Sequence, residues 1–328
     1  MARKALYIFV LLQVLFCACG KGNVDQPGGE EPEEIETGPI ALTVATCNVL
    51  KPSGRCDEMS MDNPIVRKAL ARSIIETKAD IIGFNELDET FIGSGKYSLK
   101  SACAAIKDFS WSLEWPNSIH SSGPATYSYA NGFAFNSAKL RLEESGYVWL
   151  SKEEDGVWYV KPESAYQKVG SPARTCIWAR MTHKASRKEF WLFVTHLPTN
   201  SQGGSYNMAG VVNAFAAHKA GSAPAILTGD MNSALGSSST SATYRRLIGY
   251  WKDGNIEATW GTQSGSSSNY YYTADVFTRN HPERRIDHIM TRGCTATDYR
   301  TIVVTYTVDG QAWCPSDHLP VVATITIN

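Results

Sequence analysis

The sequence has little net charge, no zinc-type cysteine spacing and no simple internal repeat. Its 328 residues carry a formal net charge of −1 and a pI of about 6.7, so no overall positive field draws in a polyanion. This argues against nonspecific nucleic-acid binding, although a local basic cleft stays compatible with it. No Cys-x-x-Cys pair indicates a zinc site, and the sequence shows no simple internal repeat.

The N-terminus carries a targeting segment. Arg3 and Lys4 precede an apolar run over residues 5–16, which is typical of a secretory signal and too short to predict a membrane span. The following Cys17-Ala18-Cys19-Gly20 resembles a bacterial lipobox, with Cys19 as the lipidated residue. Cys17 leaves the choice of cysteine open, and an ordinary signal peptide is the alternative.

Three segments follow from this composition. Residues 1–19 are the predicted signal peptide with its lipobox, residues 20–40 an acidic tether rich in glycine and proline, and residues 41–328 the catalytic domain. A tether of this kind has almost nothing to bury. We therefore expect an exported cell-envelope lipoprotein, periplasmic or attached to the outer membrane, that contacts the membrane through its lipid anchor and is a monomer.

Six of the eight cysteines lie beyond the leader. An oxidising compartment permits disulfides, and Cys294 and Cys314 bracket a predicted hairpin, so these two are the expected pair. The alternative is that all six are buried thiols.

The hydrophobic pattern predicts strands interrupted by a few helices. Asp62-Asn63-Pro64 predicts a helix start, and the spacing over residues 206–219 is also helical. Most strands are joined locally as hairpins, which favours a layered α+β domain over a parallel doubly wound one. The predicted strands cover residues 42–49, 80–86, 132–136, 141–150, 174–183, 190–196, 224–230, 286–291, 301–308 and 321–327.

Several of these apolar strands begin or end at a polar side chain. Singly, each of these is more often a solvated rim residue or a satisfied core histidine than a ligand; together they predict a hydrolytic site at one rim of the sheet. They are Asn48, Glu86, His196, Asp230 with Asn232, Asp287, and Asp317 with His318.

In their order along the chain, six segments resemble the endonuclease/exonuclease/phosphatase superfamily, which has the DNase I-like fold. The resemblance implies a four-layer α/β/β/α sandwich of two mostly antiparallel sheets. Met231 replaces the usual phenylalanine, Asn85 the usual glutamine, and the family's arginine beyond the His196 motif is not evident. The segments are residues 46–49 (TCNV), 83–87 (GFNEL), 194–197 (VTHL), 228–232 (TGDMN), 285–289 (RIDHI) and 315–320 (PSDHLP).

The resemblance also implies roles. Glu86 would hold a divalent cation, Mg²⁺ with Mn²⁺ as the alternative, and Asp317 and Asn48 would complete its oxygen ligands. Asp230 would orient or deprotonate the attacking water, and Asn232 would donate a hydrogen bond. His318, paired with Asp287, would act as base or transition-state stabiliser, and His196 would bind or protonate on the other side.

The substrate side is less determined. Relatives in the phosphatase and sphingomyelinase branches have an arginine where Arg174 stands, so Arg174 would grip a phosphate; a surface arginine at a strand edge is the alternative. Trp260 and Tyr270-Tyr271-Tyr272 could stack on a ring, but more often such clusters pack in a core or rim. His288 is expected to pack.

The resemblance thus implies a metal-dependent phosphoesterase. Its substrate would be a phosphorylated small molecule or a lipid head group, which the absence of basic excess favours. A secreted nuclease acting on DNA or RNA is one alternative, and a non-catalytic binding protein on the same fold is another.

Overall fold

A computed structural model describes most of the domain beyond the leader. The described residues are 35–87, 91, 95–106, 108–112, 131–150, 174–199, 204–233, 241–254 and 286–328, within one compact unit, Ile35–Asn328. The predicted leader, most of the predicted tether, Arg285, Trp260 and the tyrosine run lie outside the described residues. Within the described part, none of the helices is long and apolar enough to cross a membrane.

The strands follow the alternating apolar pattern, and the helices lie between them. The helices are α1 (Pro64–Ile75), α2 (Leu99–Ala102), α3 (Ser205–Ala220) and α4 (Ser241–Ile248). The strands are β1 (Ile40–Asn48), β2 (Ile81–Asn85), β3 (Phe109–Ser112), β4 (Asn131–Asn136), β5 (Leu140–Trp149), β6 (Thr175–His183), β7 (Glu189–His196), β8 (Ala225–Asp230), β9 (Lys252–Asp253), β10 (Asp287–Arg292), β11 (Thr295–Thr301), β12 (Tyr306–Val308), β13 (Gln311–Trp313) and β14 (Val321–Ile327).

Two six-stranded sheets contain most of these strands. The first has the order β11-β14-β1-β2-β4-β3, and the second has the order β5-β6-β7-β8-β10-β9. Each sheet contains one parallel pair, β1 with β2 and β7 with β8, and its other pairs are antiparallel. The parallel pairs matter for function, because their carboxyl ends lie at the same edge of the sheet.

The two sheets pack face to face around an apolar core. Inward side chains such as Val44 and Ile81 of the first sheet join Val194 and Ile226 of the second in one buried cluster. A second cluster packs α1 and α2 on the outer face of the first sheet, and a third packs α3 and α4 on the outer face of the second. The predicted four-layer α+β sandwich is therefore confirmed.

Helix α1 begins where the sequence predicts. The Asn63 side chain caps it by accepting a hydrogen bond from the Ile65 amide at 2.9 Å, and Pro64 occupies a first-turn position that needs no amide donor. Val66, Leu70 and Ile74 are buried against the first sheet. The helix thus connects the parallel strands β1 and β2 across that face.

The predicted strand over residues 301–308 is wrong. Strand β11 ends at Thr301 beside β14, whereas β12 pairs with β13 in a separate two-stranded sheet. Asp309 and Gly310, with φ of 49° and 79°, form the turn of that hairpin. Asp-Gly is a strong signal for such a turn, so the sequence contained the reason for the break.

The expected Cys294–Cys314 disulfide is also not formed. All six cysteines beyond the leader are thiols. Cys294 belongs to the cluster between the sheets, and Cys314 to a small cluster with Leu50 and Met59. Hence the alternative, buried thiols, holds for every one of them except Cys56, which is exposed.

Candidate active site

The strand registers bring the predicted polar residues to one edge of the sandwich. Asn48 lies opposite Asn85 in the parallel pair β1/β2, and Glu86 follows directly. In the second sheet Asp230 lies opposite both His196 and Asp287. Because Val321 pairs with Thr46, the segment before β14, which carries Asp317 and His318, enters at the same edge.

Asp230 is the centre of the cluster. Its Oδ2 lies 3.2 Å from Asn48 Nδ2, 3.3 Å from His196 Nε2 and 3.6 Å from His318 Nε2. Its Oδ1 accepts a hydrogen bond from the backbone amide of Asn232 at 2.9 Å. Burial acts to raise the pKa of the Asp230 carboxyl, but the two histidines and the Asn232 amide hold it well below its usual value. Asp230 is therefore a buried anion.

Gly229 allows the close strand pairing that places Asp230. It has a φ of +147°, and a Cβ there would lie 1.8 Å from the backbone oxygen of Thr195 on β7. Only glycine tolerates such an approach. The parallel register of His196 with Asp230 thus depends on Gly229.

Two buried amides connect the sheets behind the cluster. Asn85 accepts a hydrogen bond from the Asp230 amide at 2.8 Å and donates to the Thr195 oxygen at 2.9 Å and the Asn131 side chain at 2.8 Å. Asn131 in turn donates to the backbone oxygen of Thr175 at 3.0 Å. Asparagine in place of the family's usual glutamine therefore still fixes the Asp230 backbone.

His318 and Asp287 form a buried ion pair. His318 Nδ1 lies 2.7 Å from Asp287 Oδ2, and both side chains are at most 4% exposed. Burial lowers the pKa of His318, but the charges of Asp287, Asp317 and Asp230 outweigh it and raise the pKa well above its ordinary value. His318 is thus an imidazolium whose second nitrogen faces Asp230.

His196 has the opposite electrostatic environment. Burial and the positive charge of Arg174 lower its pKa, against the effect of Asp230. Its Nε2 also lies 3.1 Å from Asn232 Nδ2, which donates to the Leu197 oxygen at 2.8 Å. At neutral pH one histidine of the site is therefore neutral and the other is charged.

Arg174 is buried at the site. It is 3% exposed, so the alternative of a surface arginine at a strand edge is wrong. It lies immediately before β6 and its charge acts on His196. A buried guanidinium at this edge has the donors needed to hold a phosphate.

Glu86 is held in a left-handed backbone conformation just beyond β2, with a φ of 55°. Its Oε1 lies 3.4 Å from Asn48 Nδ2 and its Oε2 accepts the Lys51 amide at 3.1 Å. Asn232 has a similar φ of 45°. Such conformations cost free energy in non-glycine residues and concentrate at functional sites.

The orientation of Asn48 differs from the sequence expectation of a metal ligand. Its Oδ1 accepts the Leu50 amide at 3.1 Å, and its Nδ2 is directed at Glu86 and Asp230. An amide nitrogen cannot bind a hard cation. In this arrangement Asn48 is a hydrogen-bond donor, which fits its other expected role in substrate binding.

The chemistry of the donors fits a divalent cation. Burial is the main cause that raises the pKa of Asp317 to about 6, and the negative charges of Glu86 and Asp230 add to it against the positive charge of His318. A bound cation would relieve both the burial of this carboxylate and the crowding of negative charge. Asp230, Asp287 and His318 also offer ligand atoms within 4.8 Å of one another. However, Asp287 already accepts a 2.7 Å hydrogen bond from His318. We therefore favour the carboxylate oxygens of Glu86 and Asp317 as ligands of the cation.

Sequence reasoning missed several residues that support the site. Arg55 lies in a loop without a strand-end signal, whereas Asn131 directly precedes the predicted strand over residues 132–136. The long-range hydrogen bonds of both residues exist only in the fold. His288, expected to pack, is buried and donates to Asp253 at 3.2 Å and to the Ser233 oxygen at 2.9 Å. The only sequence feature that pointed to His288 was its position directly after Asp287.

Comparisons with known proteins agree with this geometry. The profile of the Endonuclease/Exonuclease/phosphatase family matches residues 45–318. No curated protein matches the sequence.

Among solved structures, an endonuclease/exonuclease/phosphatase family protein from Bacteroides thetaiotaomicron is similar, with 20% identity and a TM-score of 0.70 over 89% of this chain and 100% of the other. A mannosyl-6-phosphatase of the same organism has 21% identity and a TM-score of 0.66 over 87% and 99% of the chains. TDP2 of D. rerio, in complex with a single-strand DNA product, has 16% identity and a TM-score of 0.56 over 87% and 98%. At these identities the likeness establishes the fold.

Proposed function

Because this chain belongs to the endonuclease/exonuclease/phosphatase family, we propose that it is a metal-dependent hydrolase of phosphoric esters. The observation that carries the proposal is the arrangement around Asp230, whose carboxylate lies beside Asn48 and between a neutral and a charged histidine. Hydrolysis needs a group that accepts a proton from water and groups that stabilise negative charge. The cluster supplies both within one buried site.

Asp230 orients the attacking water in this proposal. A carboxylate with a lowered pKa is a weak base, so in the resting site it positions the water and does not deprotonate it. It receives the proton of the water only as the bond to phosphorus forms. The Asn232 amide holds one of its oxygens at 2.9 Å, which leaves the other directed at the histidines. Replacing the carboxylate by an amide would remove the acceptor and keep the shape.

His318 is proposed as the charge stabiliser. Its pairing with Asp287 keeps it protonated, so it donates a hydrogen bond to a phosphoryl oxygen through Nε2 and does not act as the base. Of the two roles that the sequence leaves open for His318, the proposal therefore takes the transition-state stabiliser. His196 is neutral, so it is able to accept or relay a proton on the other side of Asp230.

Glu86 and Asp317 are proposed to hold the cation, Mg²⁺ with Mn²⁺ as the alternative, because both supply the oxygen ligands that such ions prefer. When bound, the cation offsets negative charge on a phosphate oxygen. Asn48 completes this side by donating to the carboxylates of Glu86 and Asp230, and in the proposal a phosphate oxygen would replace one of these two acceptors when the substrate binds.

The substrate is proposed to be a small phosphorylated molecule or a lipid head group. Arg174 gives one buried guanidinium for a single phosphate, whereas binding of a nucleic acid depends on neutralising several phosphates and the chain has a net charge of −1. The structural likeness to a mannosyl-6-phosphatase favours a sugar phosphate within this class. The likeness to TDP2 with a single-strand DNA product keeps a nuclease as the second candidate.

The N-terminal sequence motivates a location for this activity. Signal-like residues 5–16 and the lipobox-like cysteines support an envelope lipoprotein that acts outside the cytoplasm. Radiolabelled palmitate should be incorporated into the wild-type chain and not into Cys19→Ser. If Cys19→Ser is still labelled and Cys17→Ser is not, Cys17 is the lipidated residue.

A substrate panel tests the function. The full chain, purified in detergent, is assayed on mannose 6-phosphate, inositol phosphates, sphingomyelin, plasmid DNA and RNA, with Mg²⁺, Mn²⁺ or EDTA. We expect release of phosphate or an alcohol from one of the small or lipid esters, and loss of activity with EDTA. Cleavage of only the nucleic acids would favour the nuclease.

Matched variants separate the site from adventitious activity. Glu86→Gln, Asp230→Asn and His318→Gln should each lower kcat by about 100-fold or more, and Arg174→Gln should raise KM. Glu189→Gln replaces an exposed carboxylate at the start of β7 and should leave both constants unchanged. Binding of phosphoric esters without turnover in every preparation would instead support a binding protein on this fold.

A further inference from the structure

A half-buried arginine, Arg55, lies outside the six motif segments and joins two parts of the site that come from opposite ends of the chain. Arg55 donates through Nε to the Leu50 oxygen at 2.9 Å and through a terminal nitrogen to the Val49 oxygen. The same guanidinium donates to the Met59 oxygen at 3.1 Å and to the Pro315 oxygen at 2.9 Å. Four backbone carbonyls therefore share one side chain.

These carbonyls frame two functional segments. Val49 and Leu50 follow Asn48 at the end of β1, and Pro315 opens the segment that carries Asp317 and His318. Ser316 adds a second connection by donating to the Asn48 oxygen at 2.8 Å. Segment 315–318 has no helix or strand, so the hydrogen bonds from the Arg55 and Ser316 side chains largely set its position.

We propose that Arg55 is a positioning residue for the hydrolytic reaction: its guanidinium fixes segment 315–318 against the end of β1, so that Asp317 and His318 meet Glu86 and Asp230. The proposal rests on the function proposed above. Its basis is geometric, because only the planar, five-donor guanidinium can serve several carbonyls in different directions. Lysine keeps the charge but cannot reproduce this set of bonds.

The chain offers a matched control. Arg67, on α1, also donates to backbone carbonyls of the preceding loop, those of Met61 and Asp62. Within the described part of the chain, Arg67 makes no hydrogen bond to segment 315–318. Arg67→Lys therefore measures the cost of losing an arginine that holds the same loop without holding the site.

The test combines kinetics with hydrogen–deuterium exchange of the full chain in detergent. Arg55→Lys should lower kcat by about 100-fold through misplacement of the catalytic groups, with KM changed by less than about threefold because Arg174 is untouched. Amides of residues 316–319 should exchange at least about tenfold faster, while β7 and β8 keep wild-type protection. Arg67→Lys should retain wild-type kcat and exchange.

Each outcome decides the proposal. Wild-type kcat in Arg55→Lys, a loss of kcat without faster exchange at residues 316–319, or an equal effect of Arg67→Lys would overturn it. Arg55→Gln is measured in parallel, and loss of protection throughout the domain in both variants would also overturn it, because Arg55 would then hold the fold and not the segment. A wild-type chain inactive on all esters would refute the proposed function instead, and exchange alone would then decide whether Arg55 fixes segment 315–318.

Discussion

Replacing Asp287 by asparagine removes one charge from the buried pair that controls His318. The pair has a 2.7 Å Nδ1–Oδ2 distance, and both side chains are nearly inaccessible. Asparagine keeps the size of the side chain but cannot balance an imidazolium. We therefore expect the pKa of His318 to fall, so that the histidine is no longer fully charged at neutral pH.

The magnitude follows from the burial of the pair. Removing one partner of a buried ion pair typically costs about 3–5 kcal/mol of stability, and removing one preorganised donor of a transition state costs about 10²–10³-fold in kcat. Because the folded-state pKa of His318 is raised above the roughly 6.5 of an unfolded chain, the pair's contribution is fully present below that pH. It is lost as the pH rises through the folded-state pKa.

Urea denaturation in EDTA and kcat measured against pH are the assays. The difference in unfolding free energy between wild type and Asp287→Asn should be largest near about pH 6 and shrink at higher pH. Asp298→Asn, which alters an exposed carboxylate paired with Arg300, should match wild type throughout. A difference for Asp287→Asn that is independent of pH, or an unchanged kcat, would refute the reasoning.

Three further predictions follow from other parts of the fold. Gly229→Ala should lower the free energy of unfolding, measured by urea denaturation, by more than about 3 kcal/mol, because its Cβ would overlap a backbone oxygen. Gly221→Ala, at a positive φ but with open space around it, should lower it by about 1 kcal/mol. Equal losses in the two variants would contradict this. Asp253 raises the pKa of His288 despite burial, so the pair should stabilise the fold below about pH 6.5. This stabilisation should disappear as the pH rises through the folded-state pKa of His288. The free energy of unfolding of Asp253→Asn should not show that dependence on pH. Iodoacetamide should alkylate Cys56 before the five buried thiols beyond the leader, and mass spectrometry finding a buried thiol modified first would oppose the assignment.

The sequence predicted the fold and the edge where the polar residues meet because both follow from local patterns. Apolar strands that stop at Asn48, Glu86, His196 and Asp230 are visible as runs of residues. In a sheet with parallel pairs, such strand ends share one edge. The order of the six motif segments along the chain then indicated the family and the roles of the site residues.

The support of the site could not be predicted in the same way. Arg55 bonds a carbonyl that lies 260 positions further along the chain, and Asn131 bonds Asn85 across a strand pair. Such contacts depend on tertiary packing and leave no periodic signal. The amide orientation of Asn48 likewise depends on a neighbouring backbone amide, which sequence reasoning cannot place.

Some errors had physical causes that are now evident. The expected strand over residues 301–308 ignored the Asp309-Gly310 turn, which favours a local hairpin. The expected disulfide paired Cys294 with Cys314 by proximity to a hairpin, although the two thiols lie in different apolar clusters. Arg174 was as compatible with a surface position as with a buried one until its neighbours were known.

The location of a bound cation tests the account most directly. Crystals of the wild-type chain soaked in Mn²⁺ should give an anomalous peak about 2.1 Å from carboxylate oxygens of Glu86 and Asp317, and the peak should vanish in Glu86→Gln. A peak held instead by Asp230, Asp287 and His318, or none near the cluster at millimolar Mn²⁺, would contradict the assignment of the site.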